Sequence, residues 1–159
     1  INIKILIFIL IIGLVISFLS NKYKIPVIKW FLEKFDREIN IKGQGVLTYF
    51  IGVIVALLLF EKNIALASII VLALGDSFCH FGKFGNWKHP YNNLKFVEGM
   101  LIGIGVSTLG SVFFVSFWKA FIGSSIAMII ESLDIKIKNT RIDDNLLVPI
   151  IVGITMSLL

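Results

Sequence analysis

Apolar residues in this chain gather into six stretches, roughly Ile3–Leu19, Val46–Phe60, Ile64–Leu74, Gly99–Trp118, Ala120–Leu133 and Leu146–Leu159, separated by shorter polar segments. A membrane-spanning helix needs about 20 apolar residues, within a range of about 17–25. Two of the stretches meet that length. The others would borrow flanking residues, as Ile64 does by running on to Phe81. The pattern predicts an all-α, polytopic integral membrane protein: a single membrane domain over residues 1–159 with about six transmembrane helices. The first stretch lacks the small-x-small cleavage site of a signal peptide, so it reads as a span.

Between the first two stretches the period changes. Ile28, Phe31, Leu32, Phe35 and Ile39 follow helical spacing, with Lys29, Glu33, Asp36 and Asn40 opposite and Pro26 suited to the first turn. Segment 21–45 therefore reads as an amphipathic helix lying in the headgroup plane, followed by a glycine turn at Lys42–Gly45. Gly99, Gly103, Ser107 and Ser111 recur every four residues, as do Gly52 and Ala56. Small residues so spaced let helices approach closely, a packing feature rather than a chemical one.

Composition strengthens the membrane reading. The 159 residues are 57% hydrophobic and 16% charged, with mean hydropathy +0.95. Ordinary soluble domains are about 45–50% apolar and about 25% charged. The one cysteine, Cys79, excludes an internal disulfide and reads as a small buried apolar residue. The chain begins at Ile1 and is still apolar at its end, as a trimmed piece of a longer protein would be.

Charge adds a topology. If the six stretches alternate across a bilayer, segments 21–45, 75–98 and 134–145 share one side. That side holds twelve of the fifteen basic residues, leaving Lys4, Lys62 and Lys119 for the other. The positive-inside rule makes the rich side cytoplasmic, so 75–98 and 134–145 are the expected cytoplasmic active-site loops. Asp76, Glu98, Glu131, Asp143 and Asp144 fall on the same side, at or beside the ends of four stretches. Clustered carboxylates beside Lys83, Lys88 and Lys95 suit a metal–phosphate site. Mg²⁺ takes oxygen ligands, commonly one or two carboxylates plus substrate phosphates, while lysines and glycine backbone amides neutralise the phosphate. Solvated loop charges in weak surface pairs are the plain alternative. There is no Walker loop, HExxH, CxxC or GxSxG, and no motif for nucleic-acid binding. His80 and His89, nine residues apart with no cluster around them, give no zinc signature.

Three phrases together resemble a known family: LGDSFCHFGKFGN followed by LKFVEGMLIG; ESL followed by IDDNLLVPI; and KGQGVLTYFIGVIVALLLF. In this order they look like the polyprenol kinases, which include dolichol kinases, phytol kinases and CTP-dependent diacylglycerol kinases. The resemblance runs from about Lys42 to Val152. Its GD…GK…EG part is shared with the phosphatidate cytidylyltransferases, but their closing KD…PGHGG…DR signature is absent. The resemblance implies a membrane enzyme that moves the γ-phosphoryl group of CTP to an isoprenoid alcohol of dolichol, phytol or geranylgeraniol type, or to diacylglycerol. The family's characteristic positions correspond to Asp76, Lys83, Lys95, Glu98, Gly99, Glu131, Asp143, Asp144, Asn145 and Pro149. Mg²⁺ on Asp76 and on Asp143 or Asp144 is implied, with Lys83, Lys95, Gly99 and Asn145 around the nucleotide phosphates and Glu131 or Glu98 as base. Phe96 departs from the Ser or Thr common there, and the chain is short for the family. CTP, a lipid alcohol and membrane lipids are the expected partners. Nucleic acid is not among them, and homo-oligomerisation is left open. A cytidylyltransferase-like enzyme and a non-enzymatic transporter or scaffold are the alternatives.

Overall fold

The computed structural model describes residues 3–22, 44–89, 92–133, 136–137, 140–141 and 143–159. Its frame is six α-helices: α1 Ile3–Lys22, α2 Gln44–Leu59, α3 Lys62–Cys79, α4 Val97–Ser111, α5 Phe117–Ser132 and α6 Asp144–Leu158. A 3₁₀ turn, His80–Phe84, continues α3 and leads into a bulged antiparallel hairpin of β1 (Lys88–His89) and β2 (Asn92–Phe96). A second small hairpin, β3 (Lys136–Ile137) with β4 (Thr140–Arg141), leads to α6. The amphipathic helix expected over Ile28–Ile39 lies outside the described residues.

The six apolar stretches become the six helices, but the six-span expectation is corrected. Among the described residues only one helix, Lys62–Gly82, is long and apolar enough to cross a membrane. Helices α2, α4, α5 and α6 have 16, 15, 16 and 15 residues. At about 1.5 Å per residue they reach roughly 23 Å, short of a hydrocarbon core of about 30 Å. Even α3 has a second reason to be apolar. It is the central helix, packed against α2, α4, α5 and α6, and burial on several sides demands the same composition as a span. The multi-pass arrangement is therefore not supported. The expected loop 75–98 is also largely ordered into the end of α3, the 3₁₀ turn, the hairpin and the start of α4. The stretch Gly99–Trp118 divides at a turn around Ser111–Ser116, which passes Phe117 and Trp118 to α5.

Close contacts fix the directions of the helices. Gly52 of α2 meets the Asn145 carbonyl and Pro149 of α6, and Gly153 of α6 meets Phe60 just beyond α2, so these two helices run parallel. Two residues join α2 to α3, which turns back. Gly99 lies on Cys79, Gly103 on the Gly75 carbonyl and Gly110 on Ile70 and Leu74, so α4 is antiparallel to α3. Gly123 of α5 meets Val152 and Met156 of α6, and the Lys119 ammonium donates to the Met156 carbonyl at 3.1 Å. These contacts make α5 antiparallel to α6.

The core between them is formed by Ala67, Val71, Leu72, Ala127, Met128, Val148, Val152 and Met156. The four-residue repeat Gly99, Gly103, Ser107, Ser111 is buried throughout, as its spacing implies. Pro149 sits inside α6. It has no N–H for the Asn145 carbonyl, and Gly52 closes on that carbonyl: a Cβ there would stand 2.3 Å from the oxygen.

Candidate functional site

The helix directions bring Asp76, Glu98, Glu131, Asp143 and Asp144 to one end of the bundle. Asp76 is in the last turn of α3, Glu98 in the first turn of α4, Glu131 in the last turn of α5, and Asp143 and Asp144 at the start of α6. Asp76 does not end its helix as a boundary residue would; α3 runs on to Cys79. The segments carrying Lys83, Lys88 and Lys95 are at this end too, in the 3₁₀ turn, β1 and β2. The side chains of Lys83 and Lys95 lie outside the described residues.

At the start of α6, Asp143 is the N-cap, and its Oδ1 accepts the Asn145 amide at 3.1 Å. An N-cap carboxylate meets the unsatisfied amides and positive dipole end of the helix. The Asp144 Oδ1 accepts the same amide at 3.0 Å. Across the bundle, the Thr48 hydroxyl donates to Asp143 Oδ2 at 2.6 Å. The Asn145 side-chain amide donates to the Gly45 carbonyl at 3.2 Å. The KGQG phrase thus reaches the site as the mouth of α2, holding α6 through Gly45 and Thr48. Burial pushes the Asp143 carboxyl above the usual aspartate range. The Thr48 and Asn145 hydrogen bonds oppose the shift and neighbouring Asp144 adds to it.

Glu98 has a different setting. Its Oε1 accepts the Asn86 and Trp87 amides at 2.8 and 3.0 Å, and the Trp87 carbonyl accepts the Val97 amide at 2.9 Å. Its carboxyl is held below the usual glutamate range, chiefly by its own backbone N–H; desolvation opposes this, and the Asn86 and Trp87 amides add to the lowering. Gly85 lies against this carboxylate; a Cβ there would stand 2.6 Å from Oε2. Glu98 is a clasp for the loop leading into the hairpin. Gly99 next to it presses on Cys79 and Gly82, with space for a hydrogen and none for a methyl. Here Gly82 and Gly99 of the GD…GK…EG phrase act by allowing backbones to touch, whereas Gly75 leaves room for the Met128 side chain. Glu131 is buried, 6% exposed.

Two features escaped the sequence reading. Cys79 is half-buried rather than sunk in the core. With Asp76 and His80 it forms a group whose ligand atoms all lie within 4.8 Å of one another. The i, i+3, i+4 spacing of these three residues was the available signal. Thr48 carried no signal, because its partner Asp143 is 95 residues away.

No family model matches the chain, and no solved structure matches it. The chain is 32% identical over 150 residues to the uncharacterized protein MJ1137 of Methanocaldococcus jannaschii, in an alignment covering 93% of this chain and 75% of that protein. By that identity and coverage, the chain belongs to the family of this archaeal protein.

Proposed function

We propose that the protein is a phosphotransferase that moves the γ-phosphoryl group of CTP to the hydroxyl of a lipid alcohol, of isoprenoid or diacylglycerol type. The observation that carries this reading is the convergence of carboxylates from α3, α4, α5 and α6 on one end of the bundle, beside the lysine-bearing turn and hairpin. The choice of CTP and of a lipid acceptor rests on the resemblance to polyprenol kinases.

The donor set suits Mg²⁺: Asp76, Asp143 and Asp144 offer the hard oxygens that this ion takes. Held by them, the ion would offset charge on the β- and γ-phosphates. The protein's own part is to bind and orient. Lys83 and Lys95 pair with phosphate oxygens. Asn145, tied to Gly45, keeps the start of α6 in register with the mouth of α2. Glu98, engaged with loop amides and low in proton affinity, positions the loop and is a poor base. The acceptor proton therefore passes to Glu131 as the alcohol oxygen bonds to phosphorus and CDP departs. The lipid chain would lie along outer faces that expose Phe8, Ile11, Leu101, Leu109 and Phe121.

The test is transfer of label from γ-labelled CTP, with Mg²⁺, to geranylgeraniol, dolichol, phytol or diacylglycerol by the purified protein. Labelled lipid that depends on CTP and is lost in Asp76→Asn is the expected result. Full activity in folded Asp76→Asn would remove the site assignment. Labelling of phosphatidate from α-labelled CTP, with no γ-transfer, would move the protein to the cytidylyltransferases.

A further inference from the structure

Asp76, Cys79 and His80 share one face of the last turn of α3 and its 3₁₀ continuation, as their spacing requires. One ligand atom of each lies within 4.8 Å of the other two. A single backbone oxygen organises them. The Asp76 carbonyl accepts the Cys79 thiol at 3.0 Å and is 2.7 Å from His80 Nδ1, with Sγ and Nδ1 3.7 Å apart. Metal-binding histidines are oriented in this manner, by a carbonyl or carboxylate on a ring nitrogen. The group stands at the negative end of the α3 dipole, which favours a cation. The backbone just beyond is clamped where Gly82 meets Gly99. Asp76 and Cys79 are half-buried and His80 is exposed, which leaves a path from solvent.

We infer that Asp76, Cys79 and His80 form a site for a borderline-soft divalent transition-metal ion such as Zn²⁺, with three protein ligands and a fourth position open. Thiolate, imidazole and carboxylate together suit zinc or cobalt, whereas Mg²⁺ demands near-octahedral oxygen ligands and gains little from sulfur. Binding exchanges the thiol proton of Cys79 for the metal and releases it to solvent. The site does not depend on the phosphotransfer reading. One consequence does rest on that reading: zinc would draw Asp76 away from Mg²⁺ and inhibit transfer.

The experiment uses metal alone, without turnover. The metal-free chain is titrated with Co²⁺. Cys79 is the single cysteine of these residues, so a thiolate-to-cobalt charge-transfer band reports this site and no other. The band should saturate at one cobalt per chain and vanish when Zn²⁺ is added. It should be absent in Cys79→Ser, and the affinity should weaken by at least about tenfold in His80→Ala and in Asp76→Asn. Far-ultraviolet circular dichroism checks that the variants fold. The unmutated chain gives a second reading, because Zn²⁺ should protect Cys79 from iodoacetamide. Absence of either the band or the protection overturns the inference. So does affinity unchanged in both folded His80→Ala and folded Asp76→Asn. A protein that binds cobalt but transfers no phosphate would sink the proposed function and leave this site standing; the reverse result would do the opposite.

Discussion

The tightest contact at the candidate site can be tested with one methyl group. At Gly99 a Cβ would stand 2.2 Å from the Cys79 carbonyl oxygen and 3.0 Å from the Gly82 Cα. Carbon–carbonyl contacts settle at about 3.3–3.6 Å, so Gly99→Ala must drive α4 from the end of α3 by about 1 Å. The obstacles are backbone on both sides, and no side chain can swing away. Overpacking costs about 1–3 kcal/mol, and rigid neighbours put this case at the upper end. Helix propensity returns about 1 kcal/mol at most. The net loss is about 2 kcal/mol, and Tm should fall by about 4–8 °C. Gly105, on the same helix, has nothing within 4 Å of its Cβ position. Gly105→Ala keeps the propensity gain alone and should raise Tm by about 2–4 °C. Thermal melts of both variants and the parent, followed by circular dichroism in one medium, measure the contrast. Equal melting temperatures, or a Gly99→Ala protein more stable than Gly105→Ala, would refute the packing of α3 on α4 at this end.

Three further outcomes follow from the carboxylates. Thr48→Val removes the hydroxyl bonded to Asp143 in a half-buried setting and should cost about 1 kcal/mol in denaturant unfolding; no loss would mean the α2–α6 bond contributes nothing. Glu98 has a depressed folded pKa, so its stabilisation is complete above the unfolded value and is lost as pH falls through the folded one. Glu98→Gln should therefore be less stable than the parent at neutral pH, with the gap closing on acidification and with faster hydrogen exchange at Asn86 and Trp87. A gap that widens in acid contradicts the clasp. Asp143 has the opposite sign, since burial raises its folded pKa and its charge is a penalty relieved as pH falls. Asp143→Asn keeps a good N-cap residue, and should be at least as stable as the parent at neutral pH while losing the proposed phosphotransfer. A destabilised Asp143→Asn would show that the carboxylate supports the fold.

Much of the frame was legible because helix boundaries follow apolar runs. What surrounds an apolar helix was not legible. The side chains of α3 would satisfy lipid or four packed neighbours equally well, and the short lengths of α2, α4, α5 and α6 emerge only once their ends are seen. The shared location of Asp76, Glu98, Glu131, Asp143 and Asp144 survived that error for a physical reason. Successive helices packed on one another reverse direction whether the solvent outside is water or lipid, so alternate connections meet at one end in both cases. The roles within the cluster were harder to read. Glu98 looks like any other acid in sequence, and only the amides of Asn86 and Trp87 reveal it as a clasp. Cys79 and His80 were read singly, as a small apolar residue and a stray histidine, when their spacing from Asp76 joined them.

The pairing of α2 with α6 also bears on how the protein is made. Gly45 and Asn145, bonded across the site, are 100 residues apart. At about 5–20 residues per second, a ribosome takes roughly 5–20 s to get from one to the other. Throughout that interval the mouth of α2 has been synthesised and has no α6 to close on. Helices α3 to α5 can pair with sequence neighbours as they emerge, but the carboxylate end is completed only when α6 appears. A nascent chain halted before Asp143 would carry Asp76, Glu98 and Glu131 without the Thr48–Asp143 and Asn145–Gly45 bonds that tie α2 to α6, so the carboxylate end stays incomplete until α6 has been made.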